Sequence, residues 1–319
     1  MSVKSVTLTA PDIDKSLLDC LLDSRVPVGS GCKAGECGKC EVELVRGIVK
    51  NARGELIEAG IEGNASGCWI KSCQVCPVGD VSVLVEANRM VRSPAKIDSM
   101  EWIENSLCRL IVRVPSTANV SFIPGQYFEL SLPAGVSRSY SPASSAEEKG
   151  RLEFLIRMRP SGVFSEYLKN RASINDMLFL SGPFGIRALN EVNQSRNHDI
   201  FMVTGTGVAP VTSMLRTFGR RYDGSASKAT IFYGYRRGGF VPSELVNTRG
   251  VKVVLAASSE VSGGSPRIQD LFLKQGGADD TMRVFAAGSA AMVADVESML
   301  CDHKFDLRYF YRDVFASSE

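Results

Sequence analysis

The chain has 319 residues, a length that fits two or three domains. Hydrophobic residues make up 44% and charged residues 23%, which is typical of a globular protein with a sizeable core and excludes disorder throughout. The net charge of +2 gives no overall field that favours nucleic acid or an anionic membrane as a partner. No apolar run reaches the ~18 residues of a membrane helix and the first residues have no apolar signal core, so we expect a cytoplasmic protein.

The amino-terminal part of the chain, residues 1–88, is predicted to form a compact and mostly β domain. Its periodic runs indicate a strand, a helix and a closing strand at residues 3–8, 14–24 and 80–87. Asp14 is the expected cap of the helix. The domain carries 9 Lys and Arg against 12 Asp and Glu, whereas the remainder has a net charge of +5. A polar segment that contains a proline, 89–98, is the predicted linker.

Two further domains are predicted from the change in hydrophobic pattern along the chain. From 99 to 192, short alternating runs separated by Pro, Gly and Ser clusters predict an antiparallel β-barrel, which one helix at FSEYLKN interrupts. From 193 to 319, short apolar runs alternate with helix-length segments, which is typical of βα units around a parallel sheet. The sequence therefore predicts three domains.

Seven of the nine cysteines lie within the first domain. An odd number of cysteines without a secretory signal favours metal binding over a disulfide framework. Cys32, Cys37 and Cys40 lie in a glycine-rich loop with the C-x4-C-x2-C spacing of plant-type 2Fe-2S ligands. Structural zinc is the alternative, because Cys37 with Cys40 and Cys73 with Cys76 form two C-x2-C pairs.

The spacing of the later cysteines leaves the fourth ligand open. Cys68, Cys73 and Cys76 all follow the glycine-rich loop and repeat its C-x4-C-x2-C spacing, so a second cluster is a further alternative. Cys20 lies on the apolar face of the predicted helix and is expected in the core.

Four later segments carry residue types that suit nucleotide binding: FIPGQYFELSL, RSYSPAS, GVFSEYL and GTGVAP. With the cysteine loop, and in this order, they make nearly the whole chain resemble the fused reductase component of bacterial multicomponent oxygenases, of the benzoate dioxygenase reductase type in the ferredoxin-NADP reductase superfamily. The resemblance implies a multidomain fold with a β-grasp-like 2Fe-2S ferredoxin domain, an antiparallel β-barrel that binds FAD and an α/β parallel-sheet domain that binds NAD(P)H. It also implies Cys73 as the fourth cluster ligand, with Cys68 and Cys76 as small buried hydrophobic side chains.

The segment RSYSPAS is the first predicted flavin site. The resemblance places Arg138 at the FAD pyrophosphate, Tyr140 at the ring and ribitol, and Ser141 at the flavin N5 edge, with Ser139 in the same binding segment; Tyr140 and Ser141 are the expected catalytic residues. A guanidinium binds phosphate oxygens, a phenol stacks on an aromatic ring, and a hydroxyl exchanges hydrogen bonds with N5. A polar loop with a solvated Arg138 is the alternative.

The segment GVFSEYL is the second predicted flavin site. The resemblance implies that Gly162, Val163, Phe164 and Ser165 open a short helix beside the flavin phosphates, where free N–H groups and the Ser165 hydroxyl suit a phosphate. A plain helix cap at Ser165 is the alternative.

The segment GTGVAP follows a predicted strand and precedes a predicted helix, as a dinucleotide-binding turn does. The resemblance assigns Gly205, Thr206 and Gly207 to the nicotinamide nucleotide. The two glycines let the backbone approach a pyrophosphate, and Pro210 fits the first helical turn. A tight turn without a ligand is the alternative.

The remaining predicted contacts with the nucleotides lie near strand ends. Arg236 matches the family position that meets the adenosine half; since no acidic residue stands there and Arg237 adjoins it, NADH is the first expected donor and NADPH the second. Gly288 and Phe315 complete the predicted site, Phe315 as a cover for the flavin. Ala287 stands where the family carries a cysteine, and we expect altered nicotinamide placement without loss of hydride transfer.

The resemblance implies an electron-transfer reductase that takes electrons from NADH through FAD and a 2Fe-2S cluster to a terminal oxygenase component or a separate ferredoxin. The alternatives are a reductase for a deoxysugar dehydrase and a zinc-stabilised binding or sensor protein without turnover. Neither of the two histidines, His198 and His303, is expected to be catalytic.

Overall fold

The computed structural model describes residues 3–26, 28–29, 33, 35, 40–60, 68–86, 91–104, 106–185, 196–223, 228–236, 239–258 and 266–315. The described residues form two compact units, one before residue 90 and one that begins at Val91. Cys32, Cys37 and Arg237 lie outside the described residues.

The first unit is a small antiparallel sheet packed on one helix. Its strands are β1 (Val3–Leu8), β2 (Glu41–Asn51), β3 (Leu56–Ala59), β4 (Cys68–Lys71), β5 (Val75–Pro77) and β6 (Val81–Glu86). The sheet order is β1-β6-β2-β3, with β4 and β5 also paired to β2, and all described pairs are antiparallel. A short 3-10 helix, Ser72–Gln74, joins β4 to β5 and carries a predicted cluster ligand.

The helix of this unit, α1 (Leu17–Asp23), packs its apolar face into the core. Leu17 and Leu21 are fully buried, and Cys20 is buried with them, which confirms that this thiol is a core residue. The predicted cap was wrong: the Ser16 hydroxyl, not Asp14, accepts the free N–H of Asp19 at the start of the helix.

The second unit begins with an antiparallel sheet. Its strands are β7 (Val91–Glu104), β8 (Leu107–Arg113), β9 (Tyr127–Ser131), β10 (Ser137–Tyr140), β11 (Arg151–Arg157) and β12 (Met177–Phe184), in the order β10-β9-β12-β7-β8-β11. One helix, α2 (Val163–Asn170), packs against this barrel-like sheet. Phe128 and Phe154 are fully buried between the strands and α2, because alternate residues of a strand face the same side.

The segment predicted as a linker is strand from Val91 onward. Residues 91–98 pair with β12 and β8 as the first part of β7. Ala95 and Ile97 are buried inside the sheet, although Lys96 between them is polar and exposed. The expectation of a linker over residues 91–98 is therefore corrected.

The second unit continues as a parallel sheet flanked by helices. Its strands are β13 (His198–Thr204), β14 (Lys228–Arg236), β15 (Val251–Ser258), β16 (Met282–Gly288) and β17 (Phe310–Val314), in the order β15-β14-β13-β16-β17. Its helices are α3 (Val208–Phe218), α4 (Ser243–Asn247), α5 (Ile268–Lys274) and α6 (Ala290–Asp302). All described pairs are parallel, so the carboxyl ends of the strands share one edge, where such sheets bind ligands.

The longest described helix, α6, has 13 residues. Within the described ranges, no helix has the length and apolar character that crossing a bilayer requires.

Candidate functional site

Two of the predicted metal ligands lie together in the first unit. Cys40 is buried immediately before β2, and Cys73 is half-buried in the short 3-10 helix. Their sulfurs are 3.2 Å apart. Ser72 holds the Cys40 backbone in place, since its N–H and its hydroxyl both donate to the Cys40 carbonyl oxygen, at 3.0 and 2.7 Å.

The described residues of the glycine-rich loop are held beside Cys73. The Gln74 side-chain amide donates to the Cys73 sulfur at 3.4 Å and to the Lys33 carbonyl oxygen at 3.1 Å. The Lys71 ammonium group donates to the Gly35 carbonyl oxygen. Gly35 has φ +76°, and a Cβ there would lie 2.7 Å from the Gln74 side chain, so only glycine fits this contact.

This pair of thiols and its amide donor suit an iron–sulfur cluster, whose sulfurs accept N–H hydrogen bonds. The described residues contain no group of three or more His, Cys, Asp or Glu side chains that could together bind a metal ion. These residues include only two of the four predicted ligands, Cys40 and Cys73. Cys68 is exposed and Cys76 is half-buried, so the expectation that both are buried hydrophobic side chains was wrong.

A cavity of about 590 Å³ opens beside Cys73. The turn between β2 and β3 forms one wall and presents the exposed side chains of Lys50 and Arg53. None of the described lining residues is acidic. A partner that approaches Cys73 from this side therefore meets positive charge, although the unit as a whole carries excess acid.

The predicted flavin segment RSYSPAS lies on β10 and just after it. The guanidinium of Arg138 is half-buried and donates to the Ser137 carbonyl oxygen at 2.7 Å, while Ser139 is exposed. The Tyr140 ring lies 5.6 Å from the Phe164 ring and 6.4 Å from the Phe154 ring. Burial raises the pKa of the Tyr140 phenol above its ordinary value, so the group is neutral at every physiological pH.

The second predicted flavin segment opens α2, and the structure brings it to the first. Gly162 is the residue that precedes the helix, Val163 is exposed, and Phe164 is buried against Tyr140. The Ser165 hydroxyl accepts the Arg159 N–H at 3.0 Å and does not cap α2, so the plain-cap alternative was wrong. The α2 N-terminus has no side-chain cap, which leaves its first N–H groups available to a ligand.

Ser141 makes a contact that the sequence did not predict. It is 6% exposed, and its hydroxyl donates to a carboxylate oxygen of Asp313 at 3.1 Å. Asp313 lies on β17 of the parallel sheet, 172 positions along the chain. Burial raises the pKa of the Asp313 carboxyl to about 6, against the opposing effect of the Ser141 hydrogen bond. In the sequence, the strand period of two places Asp313 on the same face as Tyr311, but Arg312 precedes it and no local motif marks it as a site residue.

The GTGVAP segment forms the predicted turn from strand to helix. Gly205–Gly207 is one 3-10 turn between β13 and α3, and Pro210 lies in the first turn of α3. Gly207 is required by packing, because a Cβ there would lie 2.1 Å from the Ala287 carbonyl oxygen. Gly205 has φ +55° and open space around its missing Cβ, and Thr206 between them is half-buried. The open backbone at Gly205 fits the close approach of a pyrophosphate.

The other predicted nucleotide contacts lie along the same edge of the sheet. Gly288 ends β16, where a Cβ would lie 2.4 Å from the Thr204 hydroxyl. The Phe315 N–H donates to the Gly288 carbonyl oxygen at 2.8 Å, so Phe315 adjoins the end of β16. Arg236 is exposed at the end of β14. Ala287 is buried, and its position carries no thiol.

Both histidines lie away from this edge. His198 begins β13 at the opposite end of the strand, and its Nε2 atom lies 2.8 Å from the Thr230 hydroxyl. His303 ends α6, with its Nδ1 atom 2.8 Å from the Met299 carbonyl oxygen. Neither histidine contacts the residues predicted to bind nucleotides.

Three domain families match the chain in the order in which the structure shows the domains. Residues 2–78 match the 2Fe-2S iron-sulfur cluster binding domain, residues 94–187 the oxidoreductase FAD-binding domain, and residues 201–298 the oxidoreductase NAD-binding domain. The chain is therefore an oxidoreductase with fused iron–sulfur, FAD and NAD domains. The predicted fold and the predicted 2Fe-2S, FAD and NAD-binding domains are confirmed.

The chain is similar in sequence to two curated relatives and in structure to one solved protein. It is 28% identical to the CDP-6-deoxy-L-threo-D-glycero-4-hexulose-3-dehydrase reductase of Yersinia pestis, over 97% of this chain and 95% of that protein. It is 29% identical to the toluate 1,2-dioxygenase electron transfer component of Pseudomonas putida, over 58% of this chain and 56% of that protein. The crystal structure of the Amycolatopsis cytochrome P450 reductase GcoB has the same fold, with a TM-score of 0.68, 22% identity, and coverage of 98% and 97% of the two chains.

Proposed function

We propose that this chain takes electrons from NADH and delivers them singly to a protein acceptor, an oxygenase component or a separate ferredoxin. The observation that carries the proposal is the hydrogen bond between Ser141 and Asp313. It joins the predicted flavin edge of the barrel to the carboxyl edge of the parallel sheet, where the nucleotide residues lie. Bound flavin supplies the conversion of a two-electron hydride donor into single electrons, which the cluster carries one at a time.

On the protein side, the proposed cluster ligands are Cys32, Cys37, Cys40 and Cys73. The 3.2 Å separation of the Cys40 and Cys73 sulfurs and the Gln74 amide donor support the last two. The described cysteines form no disulfide, and because free thiols persist in a reducing compartment, we propose a cytoplasmic location.

The proposed FAD site uses four groups of the barrel. Arg138 and the N–H groups of residues 162–165 hold the phosphates, Tyr140 covers the ring and ribitol, and Ser141 contacts the N5 edge, with Ser139 at the open side. The contact between Tyr140 and Phe164, which joins the two segments, supports this arrangement. Asp313 orients the Ser141 hydroxyl, because this hydroxyl donates a hydrogen bond to the Asp313 carboxylate.

The proposed nucleotide site follows the carboxyl edge of the parallel sheet. Residues 205–207 hold the pyrophosphate, Arg236 meets the adenosine half, and Gly288 and Phe315 line the nicotinamide end. The open backbone at Gly205 and the exposure of Arg236 support these roles. A cation at Arg236 also suits a 2'-phosphate, which makes NADPH the second donor.

A second acceptor is favoured by one observation. The dehydrase reductase of Yersinia pestis aligns with 97% of this chain, whereas the toluate dioxygenase component aligns with 58%. We therefore propose a deoxysugar dehydrase system as the alternative acceptor. Reconstitution with each kind of acceptor, with NADH consumption coupled to product formation, distinguishes the two.

The test of the electron path is anaerobic titration of the purified protein with NADH, followed by absorbance and low-temperature paramagnetic resonance. We expect flavin bleaching followed by the signal of a reduced 2Fe-2S cluster. The proposal would be contradicted if the protein bound no flavin. It would also be contradicted if NADH reduced the bound flavin no faster than it reduces free flavin.

A further inference from the structure

Helix α3 connects the two predicted nucleotide sites of the second unit. It begins directly after the 3-10 turn Gly205–Gly207, and it ends at Phe218. Its last turn contacts the barrel segment that follows Ser141, residues 143–146. The two ends of one 11-residue helix therefore contact the proposed pyrophosphate turn and the proposed flavin segment.

Arg216, in the last turn of α3, donates to three acceptors, two of which belong to the barrel. Its Nη1 atom donates to the Ala143 carbonyl oxygen at 3.0 Å and to a Glu153 carboxylate oxygen at 2.7 Å. Its Nε and Nη2 atoms lie 2.9 and 2.7 Å from one carboxylate oxygen of Glu244 on α4. The Arg216 side chain is only 26% exposed, and charge-assisted hydrogen bonds of this kind have fixed geometry.

The neighbouring residue, Thr217, makes a second connection to the same segment. Its hydroxyl oxygen accepts the Ala146 N–H at 3.0 Å and donates to the Ser213 carbonyl oxygen at 2.7 Å. The Ala143 N–H in turn donates to the Glu153 carbonyl oxygen at 2.7 Å, which fixes the segment on β11. Residues 143 and 146 are therefore held between the barrel sheet and the end of α3.

We propose that Arg216 is a positioning residue for hydride transfer, an inference that rests on the proposed function. By fixing the end of α3 against residues 143–146, it sets the distance between the pyrophosphate turn at one end of the helix and the flavin segment at the other. Hydride transfer depends steeply on this distance, since a misplacement of about 1 Å can lower a rate by roughly 10²-fold. Arg216 itself contacts none of the reacting atoms and neither gains nor loses a proton.

The test compares Arg216→Met with Arg220→Met, a matched control at an exposed arginine just beyond the same helix. We expect Arg216→Met to lower the rate of flavin reduction by bound NADH roughly tenfold and to change the NADH dissociation constant less than about twofold. Hydrogen exchange should accelerate at the Ala143 and Ala146 amides and stay unchanged at the Tyr127 and Phe128 amides. Arg220→Met should match the unsubstituted protein in every measurement.

Lysine keeps the charge but lacks the planar guanidinium that reaches three acceptors. Compared with Arg216→Met, Arg216→Lys should therefore recover more of the free energy of unfolding than of the flavin reduction rate. If Arg216→Met does not fold, Thr217→Val removes the acceptor of the Ala146 N–H and should lower the rate by a smaller factor. An unchanged rate together with faster exchange in either folded variant would overturn the proposal, as would an equal loss in Arg220→Met. Failure of the unsubstituted protein to accept hydride would instead contradict the proposed function.

Discussion

The two regions that we propose to carry electrons are built differently. The Ser141–Asp313 contact is partly buried where barrel and parallel sheet meet, whereas Cys73 borders an open cavity beside exposed cations. A hydride moves only between groups in contact, so its site must be enclosed and rigid. A cluster that serves a protein acceptor must instead expose one side and attract that partner, which charge does by raising the association rate.

The largest expected effect tests the exposed region. Replacing Cys73 with serine should abolish the signal of the reduced cluster and all transfer to a protein acceptor, because oxygen is a poor substitute for thiolate in these clusters. NADH should still reduce the flavin. Iron content, paramagnetic resonance and stopped-flow absorbance measure the three outcomes.

Cys68→Ser is the matched control, since Cys68 is exposed on β4 of the same unit. It should retain iron and the cluster signal. Loss of the cluster in Cys68→Ser with retention in Cys73→Ser would reverse the ligand assignment.

The next effect concerns the packing under the nucleotide turn. A Cβ at Gly207 would lie 2.1 Å from the Ala287 carbonyl oxygen, so Gly207→Ala must displace the backbone of the turn or of β16. We expect a loss of about 1–3 kcal/mol in the free energy of unfolding and weaker NADH binding. Gly54→Ala, in a turn with open space, should leave NADH binding unchanged, and an equal loss of NADH affinity in both variants would contradict the explanation.

A smaller effect concerns the partly buried carboxylate of Asp313. The pKa of Asp313 is raised to about 6, so the folded state holds its proton more tightly than the unfolded state does. Its contribution to stability is therefore present at low pH and is lost as the pH rises through 6. Relative to the unsubstituted protein, Asp313→Asn should be more stable at pH 8, by on the order of 2 kcal/mol, and about equal near pH 4. Urea unfolding across this range measures the difference, and a difference that does not vary with pH would refute the assignment.

The same substitution should change the rate of flavin reduction. The Asp313 carboxylate accepts the Ser141 hydrogen bond, so protonation below pH 6 weakens the orientation of the hydroxyl. Stopped-flow rates should rise with pH near 6 in the unsubstituted protein and lose this dependence in Asp313→Asn.

The smallest expected effect is at the cations beside Cys73. The double substitution Lys50→Glu and Arg53→Glu should slow reduction of an acidic acceptor such as cytochrome b5 by roughly tenfold at low salt, with little effect at high salt. Reduction of the basic acceptor cytochrome c should become faster. Equal changes with both acceptors would show that charge at this cavity does not select the partner.

The sequence predicted the strands whose apolar periods are strong, but it did not predict six of the described strands, which are β3, β4, β5, β7, β10 and β17. It failed where buried positions carry small or polar side chains. In the segment 91–98, Ser93, Ala95 and Ile97 face inward, but serine and alanine contribute little to a hydrophobic pattern. The predicted helix cap was Asp14, whereas the structure has Ser16. Either side chain can accept the free N–H groups, and only the residue at which the helical backbone begins decides between them.

The candidate site was predictable only where its residues are neighbours in sequence. The segments at 162–165 and 205–207 lie at the expected helix start and turn, whereas residues 138–140 lie on β10, a strand that was not predicted. Asp313 and Arg216 carry no local motif, and their partners lie 172 and 73 positions away. Contacts of this range depend on how the two sheets of the second unit pack, which periodicity does not encode.

The alanine at position 287 has a consequence for durability. Reduced flavins that meet oxygen release peroxide, and a low-pKa thiol within reach would be oxidised first, reversibly and then irreversibly. Ala287 places a methyl group and a carbonyl oxygen packed on Gly207 at this point. The proposed nicotinamide edge therefore has no sulfur at position 287 that peroxide or alkylating reagents could modify. We expect repeated turnover in air to leave this edge undamaged.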